Sequence, residues 1–347
     1  MLKNKIIIAP LNWGLGHATR CVPIIKALIK NKFVPIIASD GNALLYLKKE
    51  FPTLETIELP SYNISYTKNL KLSLLLNSPF ILKAIRNEKQ IIAKFIAENK
   101  NVAGIISDNR FGAHSKQVPS VYISHQLNVL SGFTTFISSK IHQNIINKFN
   151  ECWVPDNANS QFSGKLSTSK KIKNKKFIGV LSRFEKEEKQ KKIAILVIIS
   201  GVEPNRTYLE NKLKETFKND TRNIVFVLGK VEGLQKKWTH NNCTFYNYML
   251  TQQLQDAINS AKLVICRSGY SSIMDLAILR KKTLFIPTKN QPEQEYLAAY
   301  LEQNSFAPFA ALASFNVKKI DQVKNYKGLE TQKTALNSNL FRLFQSK

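Results

Sequence analysis

Acidic residues are scarce in this 347-residue chain, with 24 Asp and Glu against 51 Lys and Arg, a formal charge of +27. Such an imbalance normally points to nucleic acid or to an anionic membrane face. Arginine is scarce too, at 9 residues against 42 lysines, and no run of aromatics alternates with it. A surface that stacks bases between rings and guanidinium groups is therefore not indicated. The joint excess of Lys, Asn and Ile instead has the look of an AT-rich genome. Cysteine is limited to Cys21, Cys152, Cys243 and Cys266, widely separated and without a C-x-x-C. That spacing excludes a disulfide framework and a cysteine-bound metal, and suits a reduced, cytoplasmic setting. There is also no D-x-D and no Asp/His ligand cluster, so neither a metal nor another cofactor is expected. No apolar run reaches the roughly 18–20 residues of a membrane span. The chain passes from MLKNK straight into a strand, without a leader pattern. It is expected to be soluble, or at most peripheral on the inner face of a membrane.

What remains is ample for a large enzyme. Hydrophobic residues make up 44 % of the chain, enough for a substantial core, and the length suits two domains. Strand and helix patterns alternate: a buried strand at Lys5–Ala9, a helix at Thr19–Asn31, a strand at Phe33–Ser39 and a helix at Ala43–Glu50. A strand at Leu54–Leu59, a long helix at Ser78–Asn99, and short strands at Val102–Ser107 and Pro119–Ser124 complete the first half. From Ser160 to Lys192 the texture turns polar and lysine-rich, the signature of a linker. The rhythm then restarts with a strand at Ile193–Ile199 and runs to a helix at Glu293–Gln303, with a last helix expected within Leu329–Phe344. The pattern predicts an α/β protein of two Rossmann-like, doubly wound domains facing across a cleft. Residues 1–165 form the first domain, 166–325 the second, and 326–347 a terminal helix packing back toward the first.

Five polar segments fall at strand ends, where open parallel sheets bind ligands. The first is Gly14-Leu15-Gly16-His17. Two glycines permit a tight turn and close approach of a ligand, but the dinucleotide fingerprint needs a third where Thr19 stands. Simple helix-on-strand packing would explain the glycines and leave the histidine unexplained. At a helix start the positive dipole end keeps an imidazole neutral, as a general base requires. The second is Arg267-Ser268-Gly269-Tyr270-Ser271-Ser272, whose amides and hydroxyls suit a phosphate, with Asp275 one turn further on for a ribose diol. An ordinary serine-capped helix with an exposed Asp is the simpler alternative. Gln294 and Glu295, after the Pro287 loop, offer amide and carboxylate groups to sugar hydroxyls, although a Glu at a helix start is favoured in any case. Ser200, Gly201, Glu203 and Arg206 form a fourth loop with a charged clamp. In the first half, Asp108 and Arg110, and then His125, Gln126 and Asn128, follow short strands and are expected to line the same cleft.

Taken together these residues resemble glycosyltransferase family 28, of the GT-B fold. The resemblance is best over Val264–Leu301, fair over Leu11–Leu28, and positional elsewhere. The family's glycine-rich, histidine-bearing first loop is similar to Gly14-Leu15-Gly16-His17, with one glycine fewer. Its RSG helix, whose acid holds the uridine ribose, resembles Arg267-Ser268-Gly269 with Asp275 in the acid's place. Its two sugar-reading glutamines match Gln294 and, less faithfully, Glu295. Its H-E-Q-N segment is similar to His125-Gln126-Leu127-Asn128, without the acid. These changes imply a relative with a different acceptor.

The resemblance implies an inverting, metal-independent transfer of a hexose or N-acetylhexosamine from a UDP-sugar to a glycan or lipid-linked acceptor. His17 would be the base, with Asp108 and His125 as competing candidates. Ser200, Gly201, Glu203, Arg206 and the 267–275 helix, with Gln294 and Glu295, would hold the donor. Gly14, Gly16, Arg110, Gln126 and Asn128 would lie on the acceptor side. A sugar-nucleotide epimerase of the same fold is the rival enzyme, and a basic nucleic-acid-binding protein the rival of another class. An apolar stretch, Leu70–Leu76 with Pro79–Leu82, bracketed by Lys68, Lys71, Lys83 and Arg86, would suit an anionic membrane surface. The same leucines would equally suit packing under the following helix.

Overall fold

The computed structural model describes residues 3–63, 78–130 and 135–345. The first half runs β1 (Lys5–Pro10), α1 (Gly16–Lys30), β2 (Val34–Ser39), α2 (Gly41–Glu50), β3 (Thr56–Glu58) and α3 (Ser78–Glu98). It continues with β4 (Val102–Asp108), β5 (Ser120–Ile123), α4 (Thr135–Ile146), β6 (Glu151–Val154) and β7 (Lys175–Phe177). Its seven strands form one parallel sheet in the order β3-β2-β1-β4-β5-β6-β7. Unbroken apolar runs suit this arrangement because a parallel sheet is covered on both faces. Ile6 and Ile8 join the cluster holding Ala18, Cys21 and Val22 of α1 and Leu44 and Leu47 of α2. Ile7 turns the other way, into the cluster of Ile92 and Ile96 from α3.

The second half contains β8 (Ile193–Ile198), α5 (Asn205–Thr216), β9 (Ile224–Val227), β10 (Lys237–His240), β11 (Cys243–Tyr246) and α6 (Thr251–Ser260). Then follow β12 (Ala261–Cys266), α7 (Tyr270–Ile278), β13 (Thr283–Phe285) and α8 (Pro292–Gln303). The sheet order is β10-β11-β9-β8-β12-β13, parallel except for the β10–β11 hairpin. Val197 and Ile265 pack with Leu209 and Leu213 of α5 and with Phe217 just after it. On the other face, Leu196 and Val264 share with α1 and α2 the core cluster that spans both halves. Two parallel α/β sheets of this kind make the GT-B architecture. All four cysteines are buried and reduced.

Several details differ from the sequence pattern. The lysine-rich stretch is not all linker, because Lys175–Phe177 pairs with β6 as the edge strand of the first sheet. The change of sheet therefore falls between Phe177 and Ile193, later than residue 165. The sequence pattern also missed the 12-residue α4 and the four-residue strands β6 and β10. Residues 329–337 form no regular helix, and the chain ends in a 3₁₀ segment, Ser338–Phe344. Its Phe341 and Phe344 rings are buried against Trp153, at 6.0 and 6.3 Å between centroids. Gly104 on β4 makes the room, since a Cβ there would collide with the Phe344 ring.

Candidate active site

The carboxyl ends of both sheets meet where β1 turns into α1. Gly14 takes φ +74°, a conformation glycine adopts without strain. Gly16 serves close approach instead: its carbonyl accepts the Ser271 hydroxyl of α7 at 2.9 Å, and a Cβ there would press on that same side chain. α1 begins at Gly16, earlier than the apolar pattern suggests, so His17 sits inside the first turn.

His17 Nδ1 lies 2.7 Å from Oδ1 of Asp108 at the end of β4. Arg20, one turn along α1, donates from Nε and Nη2 to the two Asp108 oxygens. Its Nη1 lies 3.2 Å from His125 Nδ1, and the other ring nitrogen of His125 lies 2.9 Å from Oε1 of Glu293 on α8. The His125 ring also stacks on Tyr270 of α7, at 4.1 Å and 12°. His17, Asp108, Arg20, His125 and Glu293 thus form one chain of polar contacts that crosses from the first sheet to the second.

Burial lowers the His17 imidazole below its ordinary range; Asp108 opposes this and the Arg20 cation adds to it. Burial would raise the Asp108 carboxyl, but Arg20 and then His17 outweigh it and hold it well below the carboxylate range. Glu293 is likewise held low, by His125 and Arg20 against burial. At neutral pH the arrangement therefore pairs a neutral imidazole with an ionised carboxylate. No described residue bonds His17 Nε2, and the side chain keeps 15 % exposure.

Across from it, α7 starts after Gly269 with no side-chain cap and no acidic residue in its first turn. Its leading amides and positive dipole end are thus open to an anion. Gly269 and Gly201 both border open space, and Gly201 has φ +110°. Ser200 lies in the same turn after β8. Ser268 donates to the Gln294 carbonyl at 2.8 Å, tying this loop to α8.

Several sequence candidates make contacts within the fold. Arg267 is buried and donates to the carbonyls of Ile286, Pro287 and Asn205, joining three strand-end loops of the second sheet. Burial brings its guanidinium down to about 10. Arg206 is occupied by Glu203, Glu210, Thr207 and the Leu228 carbonyl, so it is no free clamp. Arg110 is 0 % exposed and bound to Asp40 and to the Pro10 and Pro60 carbonyls. Asn128 holds the Lys165 and Thr168 carbonyls, while Gln126 is half-buried. Gln294 Oε1 accepts from the Thr288 amide and Glu295 Oε1 from the Asn290 amide, each closing the loop before α8. Asp275 accepts from the Ser182 hydroxyl at 2.6 Å and lies 3.9 Å from Arg183. Burial pushes its carboxyl up to about 6 against those two partners.

Arg20 was not legible as a site residue, although an arginine inside an apolar helix three residues after His17 was a usable signal. Glu293 was visible only as one of several acids at a helix start. Among the described residues no group of three His, Cys, Asp or Glu is arranged to hold a metal.

The fold and this strand-end site define a glycosyltransferase of the GT-B class, and comparison with known proteins bears that out. The profile described as glycosyl transferase family 1 matches residues 5–325, and the chain belongs to that family. Similar relatives are the UDP-N-acetylglucosamine–N-acetylmuramyl-(pentapeptide) pyrophosphoryl-undecaprenol N-acetylglucosamine transferases. That of Clostridium perfringens strain 13 is 27 % identical over 83 % of this chain and 79 % of its own. That of Buchnera aphidicola subsp. Schizaphis graminum is 22 % identical over 93 % of this chain and 90 % of its own. Among solved structures, Acinetobacter baumannii MurG superposes with a TM-score of 0.58 at 13 % identity, covering 100 % of both chains. The glycotransferase of kitacinnamycin gives 0.61 at 12 % identity, over 92 % of this chain and 89 % of its own. The chain is a MurG-like GT-B glycosyltransferase.

Proposed function

We propose that the enzyme moves a hexose or N-acetylhexosamine from a UDP-sugar to a hydroxyl of a glycan or lipid-linked acceptor, with inversion and without a metal. The observation that carries this is the pairing of His17 with Asp108, opposite the uncapped start of α7. Nδ1 lies 2.7 Å from the Asp108 carboxylate, 2.9 Å from Arg20 Nη2 and 3.5 Å from Asn109 Nδ2. The shortest contact is the one to the carboxylate, so Nδ1–H donates to Asp108 and Nε2 is left as the base. Nε2 takes the acceptor proton as the acceptor oxygen attacks the anomeric carbon; a positioned base contributes about 10²–10⁴-fold. The C–O bond to the diphosphate breaks on the opposite face, which inverts the anomeric centre. Amides at Ser268–Tyr270 and Ser200–Gly201 stabilise the departing charge in place of a cation. Asp275 meets the ribose diol, and the Gln294 amide reads the sugar. Asp108 orients the base, and Arg20 fixes Asp108. We further propose that residues 1–177 act as the acceptor domain and those from Ile193 as the donor domain.

The UDP donor and the lipid-linked acceptor are supported by the names of the relatives, whose own donor is UDP-N-acetylglucosamine. A lipid acceptor calls for membrane contact. Among the described residues no helix is long and apolar enough to cross a membrane, so contact would be peripheral. Phe80 and Leu82 of α3 and Phe136, Ile137 and Ile141 of α4 are exposed. Lys171 lies 4.8 Å from the Phe136 ring. Leu70–Leu76, Lys68 and Lys71 lie outside the described residues.

The test is incubation with a panel of UDP-sugars, following UDP release with and without lipid-linked and free glycan acceptors. Acceptor-dependent release, unaffected by EDTA and giving the opposite anomer by NMR, is expected. Interconversion of the UDP-sugar without acceptor would mean an epimerase.

A further inference from the structure

On the flank of α8, away from its first turn, the structure has a cavity of about 420 Å³ between the two halves. Tyr296 and Tyr300 stack here at 5.9 Å and 17°, with Asn159, Lys165, Thr168 and Gln303 around them. Both rings are fixed in place. The Tyr296 hydroxyl accepts from the Lys165 amide at 2.8 Å, and a Cβ on Gly164 would collide with that hydroxyl and press on the Tyr300 ring. Among the described residues nothing bonds the Asn159 or Gln303 carboxamides, and both side chains are exposed. In a chain of charge +27, the lining holds a single lysine and no carboxylate. Neutral amides and hydroxyls around flat rings are the chemistry of a polyhydroxylated, uncharged ligand: the rings take the C–H face of a sugar and the amides its hydroxyls. The volume falls within the roughly 300–1,000 Å³ of small-ligand sites.

The position is informative as well. Glu293, Tyr296 and Tyr300 are spaced i, i+3 and i+7, so they share one face of α8. Glu293 is the α8 residue that bonds His125, so the stripe starts at the catalytic cluster and runs outward to the two rings. We propose that this groove is a saccharide subsite that binds a neutral sugar unit of the acceptor, remote from the hydroxyl that reacts. The proposal rests on the glycosyl-transfer reading and specifies the acceptor as a glycan of more than one residue.

The test is saturation-transfer NMR on the whole chain with chitotriose, maltotriose and cellotriose, beside the thermal shift given by UDP. Saturation of ring C–H protons in at least one trisaccharide is expected in the native chain. It should fall at least fivefold in Tyr300→Ala and in the exposed-site variant Gln303→Ala, each retaining the UDP shift. Absence of transfer from all three sugars to the native chain would overturn the subsite, as would an undiminished signal in both variants. The donor reading is judged separately: a native chain that binds trisaccharide but gives no UDP shift would retain the subsite and lose the donor assignment.

Discussion

The strand ends of the two sheets face the same cleft but are built from different materials. On the first sheet they carry ionisable side chains locked together: His17, Arg20, Asp108 and His125 are 15 % exposed or less. On the second, Glu293 apart, they present backbone amides, serines and glycines, with the arginines withdrawn as braces beneath the loops. A proton must be taken by a group of tuned basicity, and tuning needs burial and fixed neighbours. A diphosphate is a large, spread charge, best met by several dipoles that need no titration. On the proposed mechanism this difference divides the labour: proton chemistry on the first sheet, charge stabilisation on the second.

The strongest way to break that comparison is His17→Ala. Turnover is expected to fall by about 10²-fold or more, with UDP binding by calorimetry unchanged. If turnover persisted while Asp108→Ala or His125→Ala abolished it, the base would have to be reassigned.

Arg20→Gln comes next, since it leaves the buried Asp108 charge without its guanidinium, a loss of about 3–5 kcal/mol for a buried pair. Its sharper readout is the pH profile. His17 is held below 6.5 in part by the Arg20 cation. The acid limb of kcat/KM should therefore lie below pH 6.5 in the native enzyme and move upward in Arg20→Gln, while Arg20→Lys keeps the cation and the limb. An unmoved limb in a folded Arg20→Gln would show that Arg20 serves stability alone.

On the second sheet, Asp275→Ala should weaken UDP by about 1.5–3 kcal/mol, the range for a hydrogen bond to a charged group. Native affinity should rise with pH through about 6 as this carboxyl ionises. The raised value also means that stability falls as pH rises from about 4, where the unfolded carboxyl ionises, to about 6. The Ser182 contact adds a second expectation, a lower Tm. A lower Tm with unchanged UDP affinity would make Asp275 a tie to the inter-sheet segment and no ribose ligand.

The smallest effect concerns the membrane. Cosedimentation with anionic vesicles, absent with neutral ones and lost at high salt, is expected at about 1 kcal/mol per basic residue near the surface. Double substitution of Phe80 and Phe136 by Ser should reduce it. Failure to bind either vesicle would remove the membrane from the reading.

Local pattern determined a good deal of this protein. Consecutive buried residues such as Ile6–Ile8, and the repeated strand–helix alternation, specify parallel sheets because both faces must be covered. Glycines at the end of β1 and a helix start after Arg267-Ser268-Gly269 were readable because turns and helix starts depend on neighbours in sequence. Tertiary structure alone decided which polar side chains work in the cleft and which hold it together. Arg267 occupies a loop that suits phosphate, yet its guanidinium is consumed by the Ile286, Pro287 and Asn205 carbonyls, which only the fold brings near. Arg206 is taken up by its sequence neighbours Glu203 and Glu210 and, through the fold, by the Leu228 carbonyl. Arg20 and Glu293 become parts of the site for the same reason: Arg20 and Asp108 are 88 residues apart, and His125 and Glu293 168. No local pattern encodes a pairing across such distances; it arises when two sheets, each folded on its own hydrophobic pattern, bring their strand ends together.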